Sequence, residues 1–296
     1  MTKLIPVLGS LRLPFLILAP ACVALGVGTA TWTHGPVASL DVILVFVGAI
    51  LAHISVNTFN EYFDFKSGLD FNTQRTPFSG GSGVLPAHPH LARHVLIIAI
   101  SAFAAVLGIG IYFLIIRGPA LLAIGIPAMF LLIFYSPLIA FNPYLSLITP
   151  GLGFGTCMVM GTHVALTGSY SWSAFAAAMI PFFLVNNLLL LNQFPDVEAD
   201  GKIGRRNFPI TIGRHASSLL FIGFLLMAYL SLIWGVYNQY LPKASLIGLS
   251  TAILAIPASI GAFRYANNIT KLMPSMGINV VINILTPLLV SIGLFI

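Results

Sequence analysis

A succession of apolar stretches, each close to the length of one bilayer crossing and joined by short connections, constrains this chain more than any other feature. A helix needs roughly 20 predominantly apolar residues to cross the hydrocarbon core, and fewer where connections are short and helices tilt. Nine segments fit: residues 15–32, 40–59, 95–116, 120–135, 147–166, 172–191, 216–237, 244–265 and 278–296. Only 7% of residues are charged against 58% hydrophobic, and the mean hydropathy is +1.00, which excludes a soluble domain. The expected fold is an all-α polytopic membrane protein, a single domain over residues 1–296. Cys22 and Cys157 both lie in apolar runs and read as small buried residues rather than a disulfide or metal pair.

The net charge of +6 does not imply nucleic acid, because the basic residues are scattered over short connections with no domain to gather them. Anionic lipid or an anionic substrate is the expected counterpart. Numbered from the N-terminus, the tail and the loops after segments two, four, six and eight hold Lys3, Arg12, Lys66, Arg75, Arg93, Lys202, Arg205, Arg206, Arg214, Arg264 and Lys271. The opposite side holds only Arg117 and Lys243. This bias predicts a cytoplasmic N-terminus and an external C-terminus in the cell membrane. The first segment could pass for a cleavable leader, but the charge count works with it retained as a helix.

Acidic residues are rarer still, and six of the seven fall in two short stretches. One runs from Asn57 through Asn60, Glu61 and Asp64 to Asp70 at the end of segment two. The other runs from Asn192 through Asp196 and Glu198 to Asp200 at the end of segment six. By parity of crossings both emerge on the same face. Each contains Asn-x₃-Asp, a spacing that puts two oxygen donors on one side of a helix, so Asn192, Asp196 and Asp200 are expected to align. Carboxylates beside apolar helices need compensation. Mg²⁺ suits them as a hard cation held by one or two carboxylates and substrate phosphate. Asp64, Asp70, Asp196, Asp200 and Glu61 are the candidate metal ligands, with Asn60 and Asn192 beside them. The repetition four segments apart hints at two four-helix halves with a ninth helix appended.

Basic residues follow each acidic stretch. Arg75 leads into Ser79-Gly80-Gly81-Ser82-Gly83, and Lys202, Arg205, Arg206 and Arg214 follow the second. Exposed backbone N–H groups with Arg and Lys donors suit a diphosphate, which makes Lys66, Arg75, Lys202 and Arg205 candidate substrate contacts. Pro195 should break the helix inside the second cluster, and irregular backbone at that depth is tolerated where it lines a wet cavity. His53 and His163 lie within segments and read as interhelical hydrogen-bonding groups.

At these residues the sequence resembles the UbiA superfamily of intramembrane prenyltransferases. The pattern Asn192-x₃-Asp196-x₃-Asp200 is similar to its second Asp-rich motif, and Asn60-x₃-Asp64-x₃-Gly68-x-Asp70 resembles the first motif of the branch acting on 1,4-dihydroxy-2-naphthoate on the way to menaquinone. Tyr135-Ser136-Pro137 and Gly151-Leu152-Gly153 also resemble that branch, whereas Phe154 stands where it commonly has Glu, and Glu61 where many members have Asp. The resemblance implies nine helices around a central cavity, Mg²⁺ and a polyprenyl diphosphate at a cytoplasmic cap, a prenyl tail reaching laterally toward lipid, and an aromatic acceptor. The catalytic set it implies is Asn60, Asp64, Asn192, Asp196 and Asp200. Tyr135, with Tyr62, Phe63 and Phe154, is an expected shield for an allylic cation. No obligatory protein partner and no nucleic acid are expected. Within the same reaction class, another quinone or a lipid alcohol could be the acceptor. The rival from a different class is a cation-coupled secondary transporter. Its ionisable residues would sit deeper, on broken helices of both repeats, rather than at one rim.

Overall fold

The structure, a computed structural model, describes residues 6–296; Lys3 lies outside them. Every regular element among the described residues is helical. The apolar helices are α1 (Leu18–His34), α2 (Ser39–Lys66), α3 (Ala92–Arg117), α4 (Leu122–Phe134), α5 (Pro143–Thr167), α6 (Trp172–Asn192), α7 (Arg214–Tyr237), α8 (Lys243–Arg264) and α9 (Ile269–Phe295). Seven of them are long and apolar enough to cross a bilayer, and α1 makes an eighth only when joined to Val7–Phe15, from which it is bent by 48°. α4, with the turn before it, spans only Pro119–Phe134. Spans of this length and composition are those of an integral membrane protein.

The burial pattern is that of a protein solvated by lipid. Ile126, Ile253 and Ile256 are 63–73% exposed, while Asn187, Asn279, Asn283 and His163 are at most 1% exposed. With no water in hydrocarbon, aliphatic side chains gain little by hiding, and polar ones turn inward to neighbouring helices. Asn187 accordingly donates to the Phe221 carbonyl at 2.8 Å, joining α6 to α7.

α6 is the central post, with 72% of its apolar window buried. Its buried Ala174, Ala176, Ala177 and Ala178 are small on more than one side and let neighbouring helices approach closely. α5 approaches closely through Gly155, where a Cβ would lie 2.6 Å from the Ala178 carbonyl oxygen. The Gly151 amide donates to the Asn186 side chain at 2.5 Å. Just after Pro150 the middle of α5, Leu152–Met160, widens into a π-helix. Such wide turns are rare and are found frequently at functional sites.

Away from the acidic clusters, the start of α2 and the ends of α3 and α5 are tied by one ion pair. Arg117 Nη2 donates to buried Asp41 at 2.7 Å, its Nε to the Ala165 carbonyl at 3.3 Å, and Tyr112 also donates to Asp41 at 3.1 Å. Removing one member strands the other in a low-dielectric setting. Asp41→Asn is therefore expected to lower stability by about 1–3 kcal/mol, read as a lower thermal unfolding midpoint in detergent, with catalysis at permissive temperature kept.

Candidate active site

α2 does not stop where its apolar run ends at residue 59; it continues to Lys66. Asn57, Asn60 and Asp64 thus sit on one continuous face of its last turns, as their spacing predicts. Gly68, with φ +82, then turns the chain so that Asp70 points back into the same space. On the other side α6 ends at Asn192 and Val197–Lys202 forms a separate short helix, the break expected at Pro195. Asn192, Asp196 and Asp200 are therefore not on one uninterrupted helix, contrary to the simple spacing argument. The reversal at residues 193–196 nevertheless leaves all three lining a single cavity with Asn60, Asp64 and Asp70.

That cavity has a volume of about 460 Å³. Its polar mouth is crossed by Arg205, whose guanidinium pairs with Asp64 from α2 and, at 3.4 Å, with Asp200 beyond α6. Side-chain exposure of all three is 8–11%, so the two acidic stretches share one buried cation. Asn207 donates to the other Asp200 oxygen at 2.9 Å. Arg12, within the segment Val7–Phe15 before α1 and in the left-handed conformation with φ +51, donates to Asn60 at 3.2 Å and lies 3.6 Å from Glu61. Asn60 in turn donates to Ser136 at 2.7 Å.

Three buried oxygens at this mouth have no partner among the described residues: Asp70 Oδ2, Asn192 Oδ1 and Asp196 Oδ1. Burial, reinforced by neighbouring carboxylates, pushes the Asp70 carboxyl up to about 7 and that of Asp196 up to about 8. Burial also raises Asp200, against the pull of Arg205. Unsatisfied, desolvated carboxylates are the environment a cation relieves, and an all-oxygen donor set fits Mg²⁺. Among the described residues no three His, Cys, Asp or Glu side chains converge closely enough to hold an ion unaided. The donors therefore fit an ion that completes its shell with substrate oxygens and water.

The structure places the other expected residues as follows. Glu61, expected as a metal ligand, is fully buried with both oxygens committed to Ser82, one to its hydroxyl and the other to its N–H at 3.2 Å. It faces the glycine-rich loop instead of the cavity. Lys66, Arg75 and Lys202, expected at the substrate, are exposed and do not line the cavity. The Lys66 ammonium lies over the Tyr62 ring, 5.8 Å from its centre, and Arg75 packs against Gly83. Arg214 is used by Glu198 at 2.8 Å, which holds the Glu198 carboxyl below its ordinary range. Tyr135 does line the cavity, as does Phe154, whose ring meets His53 edge-to-face at 4.9 Å.

Arg12 and Asn207 are the residues that sequence reasoning missed as site groups. Arg12 entered only as a basic residue of the tail, and nothing local shows that a bend aims it at α2.

The Glu61–Ser82 latch makes a direct prediction. Glu61→Gln should weaken a buried charge-assisted contact worth about 1.5–3 kcal/mol and free the loop over residues 73–83. Faster limited proteolysis within that loop checks it.

The family model for the "UbiA prenyltransferase family" matches residues 17–278. The chain belongs to the UbiA prenyltransferase family. Among curated proteins it is 27% identical over 214 residues to the 1,4-dihydroxy-2-naphthoate octaprenyltransferase of Bacillus subtilis (strain 168), a match covering 71% of this chain and 66% of that one. The matched region thus spans just under two thirds of that relative's length. The UbiA fold is equally clear in solved structures. A UbiA homolog from Aeropyrum pernix K1 superposes with a TM-score of 0.73 at 16% identity, covering 95% of this chain and 96% of that one. A UbiA homolog from Archaeoglobus fulgidus, solved bound to DMAPP and Mg2+, superposes with a TM-score of 0.64 at 16% identity, covering 95% and 98%.

Proposed function

We propose that this UbiA-family chain transfers a prenyl group from a polyprenyl diphosphate to an aromatic acceptor in an Mg²⁺-dependent reaction, with 1,4-dihydroxy-2-naphthoate as acceptor in menaquinone biosynthesis. The observation that carries the reading is the Arg205 bridge between Asp64 and Asp200 at the mouth of an otherwise apolar cavity. It brings both acidic stretches to one rim, where a charged headgroup can be neutralised while its hydrocarbon tail stays in the cavity. The B. subtilis relative's name supports the acceptor, and the Mg²⁺- and DMAPP-bound homolog supports the donor and metal.

Asp64, Asp70, Asp196 and Asp200 would hold Mg²⁺, with Asn60 and Asn192 completing the polar ring. The metal supplies charge neutralisation on the departing diphosphate. Arg205 and Arg12 donate to its oxygens, and donors already in place cost little reorganisation as charge develops. Lys66, Arg75 and Lys202 form an outer positive rim that draws the headgroup in. Lower down, Tyr135, Phe154 and the aliphatic walls exclude water from the allylic cation until an electron-rich aromatic carbon attacks. The protein acts as a single membrane domain of nine helices, built as two four-helix halves and a ninth, with no obligatory protein partner. The basic rim and the N-terminus face the cytoplasm, and the C-terminus lies on the outer side of the cell membrane.

Purified protein given Mg²⁺, an allylic diphosphate and a panel of dihydroxynaphthoate, hydroxybenzoate and lipid-alcohol acceptors tests this reading. Prenylated dihydroxynaphthoate with stoichiometric diphosphate is expected. A product on another acceptor alone would move the chain to a different branch, and solute transport across liposomes without any product would favour a transporter.

A further inference from the structure

Below the polar mouth the cavity continues as an apolar tube along nearly the full length of α2 and α5. On α2 its lining runs in helical register from Asp64 through Asn57, His53 and Ala49 to Val45, nineteen positions away. At ~1.5 Å per residue that is about 28 Å, close to the whole thickness of a bilayer's hydrocarbon core. α5 gives the same depth independently. Its lining runs from Ser146, bonded at the mouth to Gln193 at 3.0 Å, down to Ala165, also nineteen positions away. The Ala165 carbonyl receives Arg117 in the ion-pair layer at the far end, and Val45, Phe113 and Leu121 line that end of the tube. A long, thin, flexible apolar group suits a space of this length and lining.

Two glycines on different helices keep its far half open. Gly110 of α3 and Gly125 of α4 both line the tube, and a Cβ built on either meets no heavy atom within 4 Å. Their backbones are ordinary helix, so neither glycine is required by conformation or by close packing. What a side chain there would occupy is the tube itself. Gly108, two residues away, is equally uncrowded but does not line the tube and is exposed.

Resting on the reading of the site as a prenyl-diphosphate site, we infer that the distal isoprene units of a long-chain donor occupy this far half, and that Gly110 and Gly125 set the length of chain accepted. The donor's reacting carbon stays near Tyr135 and Phe154 whatever the length of its tail, so these glycines act on specificity and not on chemistry.

The test compares geranyl, geranylgeranyl and octaprenyl diphosphates in wild type, Gly110→Leu, Gly125→Leu and Gly108→Leu, using kcat/KM for diphosphate release with one acceptor. Wild type is expected to favour the longer donors. Gly110→Leu and Gly125→Leu should keep geranyl turnover near wild type but lose about ten-fold or more on the longer donors, the size of effect that removing room for a few methylenes produces. Gly108→Leu should match wild type throughout. A wild type that prefers geranyl, or variants with unchanged length profiles, would overturn the inference and leave the proposed function standing. Should the leucine variants lose all turnover, Gly110→Ala and Gly125→Ala are read the same way, and a loss uniform across donor lengths overturns it. No turnover by wild type with any donor would defeat the functional reading instead.

Discussion

Asp64→Asn and Asp196→Asn are each expected to reduce prenyl transfer by about three orders of magnitude, the scale on which removing a group that stabilises transition-state charge acts. Both substitutions keep side-chain volume and remove only the negative charge, so the cavity walls stay in place. The two residues come from different helices and differ in surroundings. Asp64 is paired with Arg205, while Asp196 carries an oxygen with no partner among the described residues. A common loss would therefore mark a shared duty rather than shared packing. Diphosphate release and product formation measure it, and an unfolding midpoint within a few degrees of wild type shows that the fold survives.

Arg205→Met is expected to have the second large effect, and it is one of stability as much as rate. The guanidinium is the only cation paired with Asp64 and Asp200 among the described residues. Removing it leaves two buried carboxylates facing each other, at a cost of about 3–5 kcal/mol. A divalent ion can take over that neutralisation. Mg²⁺ should therefore raise the unfolding midpoint of Arg205→Met clearly more than that of wild type, although prenyl transfer stays low because the donor to diphosphate is gone. Equal Mg²⁺ shifts in the two proteins would show that the ion does not visit these carboxylates.

Much of this architecture is legible in sequence because bilayer physics leaves few options. Each apolar run expected to be helical is helical, and the two acidic stretches meet at one mouth as the parity of crossings requires. The end of α2 is a different case. Hydropathy falls at Asn60-Glu61-Tyr62, yet the helix runs to Lys66, because the i,i+4 order of its polar residues gives them an inward face to share. Glu61 and Asp64 are only three residues apart and both carry a carboxyl group, but Glu61 points at Ser82 and Asp64 at Arg205. Which partner each would meet depends on how a loop twenty residues on folds back, and no local pattern encodes that. Arg12 illustrates the same limit, since its role comes from the bend between Val7–Phe15 and α1. Distances from glycine to empty space, as at Gly110 and Gly125, likewise exist only once helices have been packed.

The most direct test of the central claim is Mn²⁺ binding followed by electron paramagnetic resonance, with a non-reactive allylic diphosphate analogue present, in wild type, Asp64→Asn and Asp196→Asn. If the ends of α2 and α6 jointly hold the ion against the diphosphate, wild type binds Mn²⁺ saturably only with the analogue, and each single substitution weakens binding at least about ten-fold. Undiminished Mn²⁺ binding in either variant would contradict a shared site.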